Sequence, residues 1–340
     1  MMRNILLLLA LCAIPAAGMA AAGKEVKDAA LATSETLTTS GVLKVHVHRR
    51  SAWTKVPMKG VDADGMRMNL APADSLPFRD LVLTVTQMLE APAAGGVDRV
   101  TIELKRGETT ETRTVDEGAA FNWKGYHIAI VAIYMKKGEL GHGSTVVEVA
   151  TVKSLPEEVA KSKKANGAAD RLRVKHDIDK LTLHHTATPH AAGEDIKEKL
   201  RNMQAWAEKD RNWYDPCYHF FVDMDGSIYE ARDYRYMGDT NTRYDPRGHF
   251  LINCYGNYSS TEPNKEQIEA IANLMAWAAG EFHVEPLKIY GHCDLAETSC
   301  PGTHLYRYIK DGTLKKMVQE KLSHGKPELI WIEDEPKPHK

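Results

Sequence analysis

The chain has 340 residues, 43% hydrophobic and 26% charged, close to soluble globular averages and long enough for two domains with sizeable cores. With 44 Lys and Arg against 46 Asp and Glu, the formal net charge is −2, which excludes the broad basic footprint of a nucleic-acid binder.

Arg3 precedes an apolar run from Ile5 to Ala17, and small residues follow through Ala20-Ala-Ala22. This is the pattern of a secretory signal peptide over residues 1–22. The run is shorter than the roughly 20 apolar residues of a membrane span. The expectation is therefore export to the periplasm or the exterior, with no transmembrane span once the signal is removed. Residues 23–40, polar and rich in Thr, Ala and Lys, read as a flexible lead-in.

Residues 41–154 have the texture of an all-β accessory domain. Val100-Thr-Ile-Glu-Leu-Lys105 alternates apolar and polar side chains, and Leu81–Thr86, His127–Tyr134 and Thr145–Val152 are rich in β-branched residues. Short strands without an intervening helical period suggest a small sandwich. His46 and His48 share a strand face, but no third ligand lies near them in sequence, so they read as solvated or partly buried histidines. Residues 155–170 form a linker or short helix.

From 171 to 324, strand and helix signals alternate. Leu181–His185, Tyr218–Val222, Ser227–Ala231, Phe250–Tyr255 and Leu287–Tyr290 read as strands, with Met224-Asp225-Gly226 as a hairpin turn. Ile196, Leu200, Met203 and Ala207 recur at helical spacing up to about Trp213. Asn264 and Gln267 form a capping box before a second helix carrying Ile268, Ile271, Met275 and Ala278. The fold class is α/β: a C-terminal mixed sheet flanked by helices, preceded by the β domain. Residues 325–340, charged and with three prolines, are expected to be a tail without regular structure.

His184 ends one strand-like run. His292 follows another, with seven residues between it and Cys300. Neutral imidazole and thiolate are good zinc donors, and three protein ligands leave the open position of a catalytic site. The spacing is equally compatible with an ordinary strand histidine and a buried thiol. His185 faces away from His184 on an extended strand. If Cys300 is a ligand, Cys217, Cys254 and Cys293 remain. A Cys217–Cys254 bridge is left open, although a fold of this size does not require one.

Four ordered segments remove that ambiguity: Leu183-His-His-Thr-Ala187, Trp213-Tyr-Asp-Pro-Cys-Tyr-His-Phe-Phe-Val222, Asp225-Gly-Ser-Ile-Tyr-Glu-Ala-Arg232, and Gly291-His through Ser-Cys-Pro301. Over about residues 170–322 the chain resembles the type 2 N-acetylmuramoyl-L-alanine amidases, which share a fold with peptidoglycan recognition proteins and phage lysozyme-type amidases. The resemblance implies zinc held by His184, His292 and Cys300. It also implies cleavage of the amide joining N-acetylmuramic acid to L-alanine, with peptidoglycan or a muropeptide as the bound partner. Tyr218 matches the family tyrosine whose hydroxyl lies near the catalytic water, and Thr298 stands where catalytic recognition proteins often carry Thr. Both are candidate hydrogen-bond donors to the developing oxyanion.

Some positions depart from the family. Asn253 occupies a position where a subset of members has a glutamate near the zinc, and Asn cannot act as a base. Asp239 and Thr240 follow Gly238 where many members have a histidine. Arg232, Asp233 and Tyr234 align with residues that read the third stem-peptide residue, and fit neither known preference. His219 is expected to be structural. The alternative reading is a module that binds peptidoglycan without cutting it, and the retained Cys300 speaks for the enzyme.

Overall fold

The computed structural model describes residues 42–93, 95–135, 143–165, 167–284 and 288–333. The export signal and lead-in read over 1–40 lie outside these residues. No described helix is long and apolar enough to cross a membrane.

Strand β1 (Lys44–His48) buries Val45 and Val47 and leaves His46 exposed, while His48 stacks on Tyr229 with centroids 4.7 Å apart. The chain then turns through Trp53, whose indole N–H donates to the Glu230 carbonyl at 2.7 Å. Arg50 donates to both carboxylate oxygens of Asp215 at 2.6 and 2.8 Å. After β2 (Val61–Asp62) the chain enters a sandwich of eight strands: β3 (Gly65–Leu70), β4 (Ser75–Phe78), β5 (Leu81–Leu89), β6 (Arg99–Arg106), β7 (Thr109–Asp116), β8 (Ala120–Trp123), β9 (Tyr126–Tyr134) and β10 (Ser144–Thr151). One antiparallel sheet runs β3-β10-β9-β8 and the other β4-β5-β6-β7. Leu76, Leu83, Ile102, Ile128 and Val147 fill the space between them.

The linker is docked along the sandwich. Helix α1 (Glu157–Lys161) buries Val159 and Ala160, and Asn122 of β8 donates to the Ala160 carbonyl at 2.8 Å. Strand β11 (Leu172–Arg173) then pairs with β2.

The second unit is built from β12 (Lys180–His185), α2 (Ile196–Asp210), β13 (Phe220–Val222), β14 (Ile228–Glu230), β15 (His249–Cys254), α3 (Lys265–Glu281), β16 (Ile289–Gly291), α4 (Thr303–Lys310), α5 (Thr313–Ser323) and β17 (Glu328–Ile332). Its seven-stranded sheet has the order β16-β12-β15-β13-β14-β1-β17. All neighbours are parallel except the β13–β14 hairpin. Leu183, Phe220, Phe250 and Ile252 point toward α3 in the main core. Phe221 and Tyr229 point the other way, under α2 and Trp53. Asn264 and Gln267 form the expected capping box.

Two boundary expectations are corrected. Strand β1 lies in the interval assigned to the accessory domain, yet its two valines pack in the core of the second unit and its backbone pairs with β14 and β17. The 325–340 tail contains a regular strand, because Glu328–Ile332 finds a complete parallel partner in β1. Pro327 stands just before that strand, and Pro336 and Pro338 lie beyond it, so no proline interrupts the ladder.

Candidate metal centre

Strands β16, β12 and β15 run parallel, so their carboxyl ends meet at one edge, the usual place for a site in such a sheet. His184 is the penultimate residue of β12, paired in register with Asn253 of β15. Leu183 pairs with Gly291 of β16, which brings His292 to the same edge one residue later. Gly291 is required there, because a Cβ would come within 2.7 Å of the Tyr306 ring and 3.0 Å of Pro301. The chain leaves through a short turn at His292–Asp294 and is tied back by Cys293 N–H donating to the Cys300 carbonyl at 2.8 Å. That closure returns Cys300 to the histidines.

One donor atom each from His184, His292 and Cys300 falls within 4.8 Å of the others, and all three residues are buried. Cys300 Sγ stands 3.6 Å from His184 Nδ1 and accepts the His185 backbone N–H at 3.3 Å. The His184 and His292 rings are 4.6 Å apart.

The donor chemistry fits a zinc ion. Burial holds His184 well below the ordinary imidazole range and His292 down to about 4, so both rings are neutral, as ligands must be. Burial also pushes the Cys300 thiol up to about 12. Its surroundings therefore do not by themselves favour the thiolate, and a cation held there would supply the missing stabilisation. His184 Nε2 is buried and forms no hydrogen bond within the described protein.

Tyr218 lies just before β13, its ring 5.0 Å from that of His184 and edge-on to Phe221. Burial, reinforced by Cys217 and Cys300, holds its phenol well above the usual value, so it is protonated at neutral pH. Thr298 is half-buried, and its hydroxyl oxygen accepts the Cys300 N–H at 3.2 Å. It thus braces Cys300 while keeping its own hydrogen for donation. Asn253 is fully buried, and neither its amide oxygen nor its nitrogen has a protein partner among the described residues.

His185, His219, Cys217 and Cys254 lie outside the cluster. His185 Nδ1 accepts the Tyr258 N–H at 3.2 Å, away from the cluster. His219 bridges the Leu251 N–H and the Tyr236 carbonyl at 3.0 Å each. Cys217 and Cys254 are buried, free thiols. Arg232 is wholly enclosed, donating to the Asp239 carboxylate at 2.6 Å and to the Met237 and Asp215 carbonyls. A side chain held this way inside the protein cannot read a stem peptide.

Sequence reading missed the residues that surround His292. Thr242 Oγ1 lies 2.7 Å from His292 Nε2, and the Tyr244 ring meets the same imidazole edge-on at 5.3 Å. The only signal for them was the departure from the family pattern at Asp239-Thr240. Gly238, just before it, has no room for a side chain, since a Cβ would fall 2.2 Å from Leu251 and 2.6 Å from the Cys217 carbonyl.

A family model described as N-acetylmuramoyl-L-alanine amidase matches residues 174–303. The chain is similar to peptidoglycan-recognition protein SC2 of Drosophila simulans, at 30% identity over 130 residues, covering 38% of this chain and 70% of the relative. It is also similar to N-acetylmuramoyl-L-alanine amidase of Mus musculus, at 30% identity over 136 residues, 38% of this chain and 25% of that one. Peptidoglycan-recognition protein LB of Drosophila melanogaster is 27% identical over 132 residues, and the chain spans only 56% of its length. Among solved structures, peptidoglycan recognition protein 1 of Manduca sexta aligns over 41% of this chain and 79% of its own, with 28% identity and a TM-score of 0.37. By the family-model match and the similarity to protein SC2, the chain belongs to the N-acetylmuramoyl-L-alanine amidase and peptidoglycan-recognition family.

Proposed function

We propose that the protein is an exported, zinc-dependent amidase that hydrolyses the bond between N-acetylmuramic acid and L-alanine in peptidoglycan or muropeptides. The observation that carries this reading is the buried convergence of His184, His292 and Cys300, with both imidazoles neutral. A binding module has no need to bury a thiol between two imidazoles.

His184, His292 and Cys300 would hold the metal. When bound, zinc polarises the scissile carbonyl and makes water a stronger nucleophile near neutral pH. The chain's own residues then serve the charge that develops on the carbonyl oxygen. Tyr218, kept protonated by burial, donates its phenolic hydrogen toward that oxygen. Thr298 is a second, weaker donor, pre-oriented by the Cys300 N–H. Asn253 is neutral and takes no proton; its buried amide lies in register beside His184 without a protein partner among the described residues. Export through the 1–22 signal would bring the enzyme to its substrate.

The test is release of stem peptides from purified muropeptides, measured chromatographically, with and without a chelator and after zinc is restored. Zinc-dependent release is expected. Tight muropeptide binding without turnover in zinc-supplemented buffer would establish the binding-module reading instead.

A further inference from the structure

The loop that seats Thr242 against His292 is held from outside the mixed-sheet unit. Strand β3 belongs to the sandwich, where Met66 and Leu70 face the sandwich core. Alternation then sends Arg67 and Asn69 out of the opposite face, toward the second unit. Both residues are 5% exposed. Arg67 Nε stands 2.9 Å from the Asp239 carboxylate, at the start of the loop. Asn69 donates its two amide hydrogens to the carbonyls of Thr240 and Thr242, at 2.8 and 3.0 Å. These carbonyls straddle Asn241, so a single side chain fixes the turn.

Within the turn, Thr240 Oγ1 accepts the Thr242 backbone N–H at 3.0 Å and lies 2.8 Å from Thr242 Oγ1. When the Thr242 hydroxyl donates to Thr240 Oγ1, its oxygen is left to accept from His292 Nε2–H at 2.7 Å. With that nitrogen engaged as donor, Nδ1 is the ring atom left for a metal. A partner on the far nitrogen is what fixes the tautomer and orientation of a ligating histidine. At the rim, Arg243 reaches Asp74 of the sandwich at 3.5 Å.

We propose that β3 of the sandwich is a working part of the metal centre, with Asn69 as a positioning residue that orients His292 through the Thr240–Thr242 turn. This rests on the metal reading given above. It assigns the β domain a role inside the site, since the family's fold does not supply this support in this chain. It also accounts for the departure at Asp239-Thr240: the Asp239 carboxylate serves as the socket for Arg67.

The experiment uses the full-length protein in four forms: wild type, Asn69→Leu, Thr242→Val and the double variant. Zinc affinity is read by competition with a chromophoric chelator, and the ligand field by the absorption spectrum of the cobalt(II)-substituted protein. Each single variant should weaken zinc binding about 10–100-fold, the usual effect of removing a supporting partner of a metal ligand, and should shift the cobalt bands. The double variant should be no weaker than the worse single one, because both changes act on one ring.

Asn122→Leu removes a comparable amide from the sandwich at its contact with α1 and should keep wild-type affinity and spectrum. Wild-type affinity and an unshifted spectrum in Asn69→Leu would overturn the proposal, as would fully additive losses. If Asn69→Leu does not fold, Asn69→Ala takes its place in the same two measurements and decides the proposal. A wild-type protein that takes up no zinc overturns the metal reading itself, whereas zinc uptake equal in wild type and variants overturns only this inference.

Discussion

The two units bury their polar groups in opposite ways. Between the two sheets of the sandwich the core is aliphatic and aromatic, and the buried ionic side chains Arg67 and Glu148 lie outside it, on the face toward the second unit. The mixed-sheet unit instead buries His184, His185, His219, His249 and His292 within its own body, together with Asp215 and Arg232. The sandwich can therefore be stable without any chemistry, while the second unit holds histidines neutral at a cost that only a fixed tertiary structure can bear. Changes that target one class of buried group should separate the two units experimentally.

The largest effect is expected at the ligands. Cys300→Ser or His184→Ala should lower muropeptide turnover by more than the roughly 100-fold limit of a supporting-residue change, with zinc content falling well below one per chain by elemental analysis. The sandwich holds none of the grouped donors, so its hydrogen-exchange protection should stay unchanged. Loss of protection there would show that the two units share one cooperative transition.

Next is the charged seam. Arg67 meets both Glu148 and Asp239, Arg171 meets Glu148, and Arg232 meets Asp239, with side chains no more than 5% exposed. Asp239→Asn leaves two guanidinium groups without a shared carboxylate, which should cost about 3–5 kcal/mol in urea unfolding. A cost below about 1 kcal/mol would mean the seam is hydrated and the units are loosely coupled.

Much of this arrangement was legible in sequence because it rests on local rules. The period-2 run of β6, the β-branched run of β10, the capping box at Asn264 and the ordered motifs around His184, His292 and Cys300 each state their own structure. Partnerships between distant segments were not legible. Nothing in Lys44–His48 says that its partners are β14 and β17, because a strand's alternation fixes its faces and not its neighbours. Glu328–Ile332 was masked by the prolines around it. Asn69 shows in sequence only as a polar residue in a Met-Arg-Met-Asn alternation, and its importance appears only once the Thr240–Thr242 turn lies across it.

Acid should distinguish the units further. Burial lowers His185 and His249 to about 4, from an ordinary value near 6.5. The unfolded chain then binds more protons than the folded one between those values. Their contribution to stability is present above pH 6.5 and is lost as pH falls through 4. Each is worth on the order of 2–3 kcal/mol, and neither is among the proposed metal ligands. Lowering the pH from 7 to 4.5 should expose the mixed-sheet unit to limited proteolysis first. Among the described residues of the sandwich, His127 is the one histidine lowered by burial, so that unit should resist longer.

The smallest effect tests whether a local signal in the second unit carries independent weight. Asn264 accepts the Gln267 N–H at 2.9 Å, and the Gln267 side chain accepts the Asn264 N–H in return at 3.3 Å. The Asn264 amide also donates to the Met224 carbonyl at 2.6 Å, tying the start of α3 to the hairpin turn. Asn264→Ala should therefore cost about 1–2 kcal/mol, the upper part of the range for a helix cap, because it removes the hairpin contact with the cap. The cap lies on the α3 side of the sheet and the grouped donors project from the other, so zinc affinity should stay at the wild-type value while the unfolding midpoint falls. A parallel fall in zinc affinity would mean that the α3 face and the metal edge are not separable, and that the second unit responds as one body even to a change at its helix terminus.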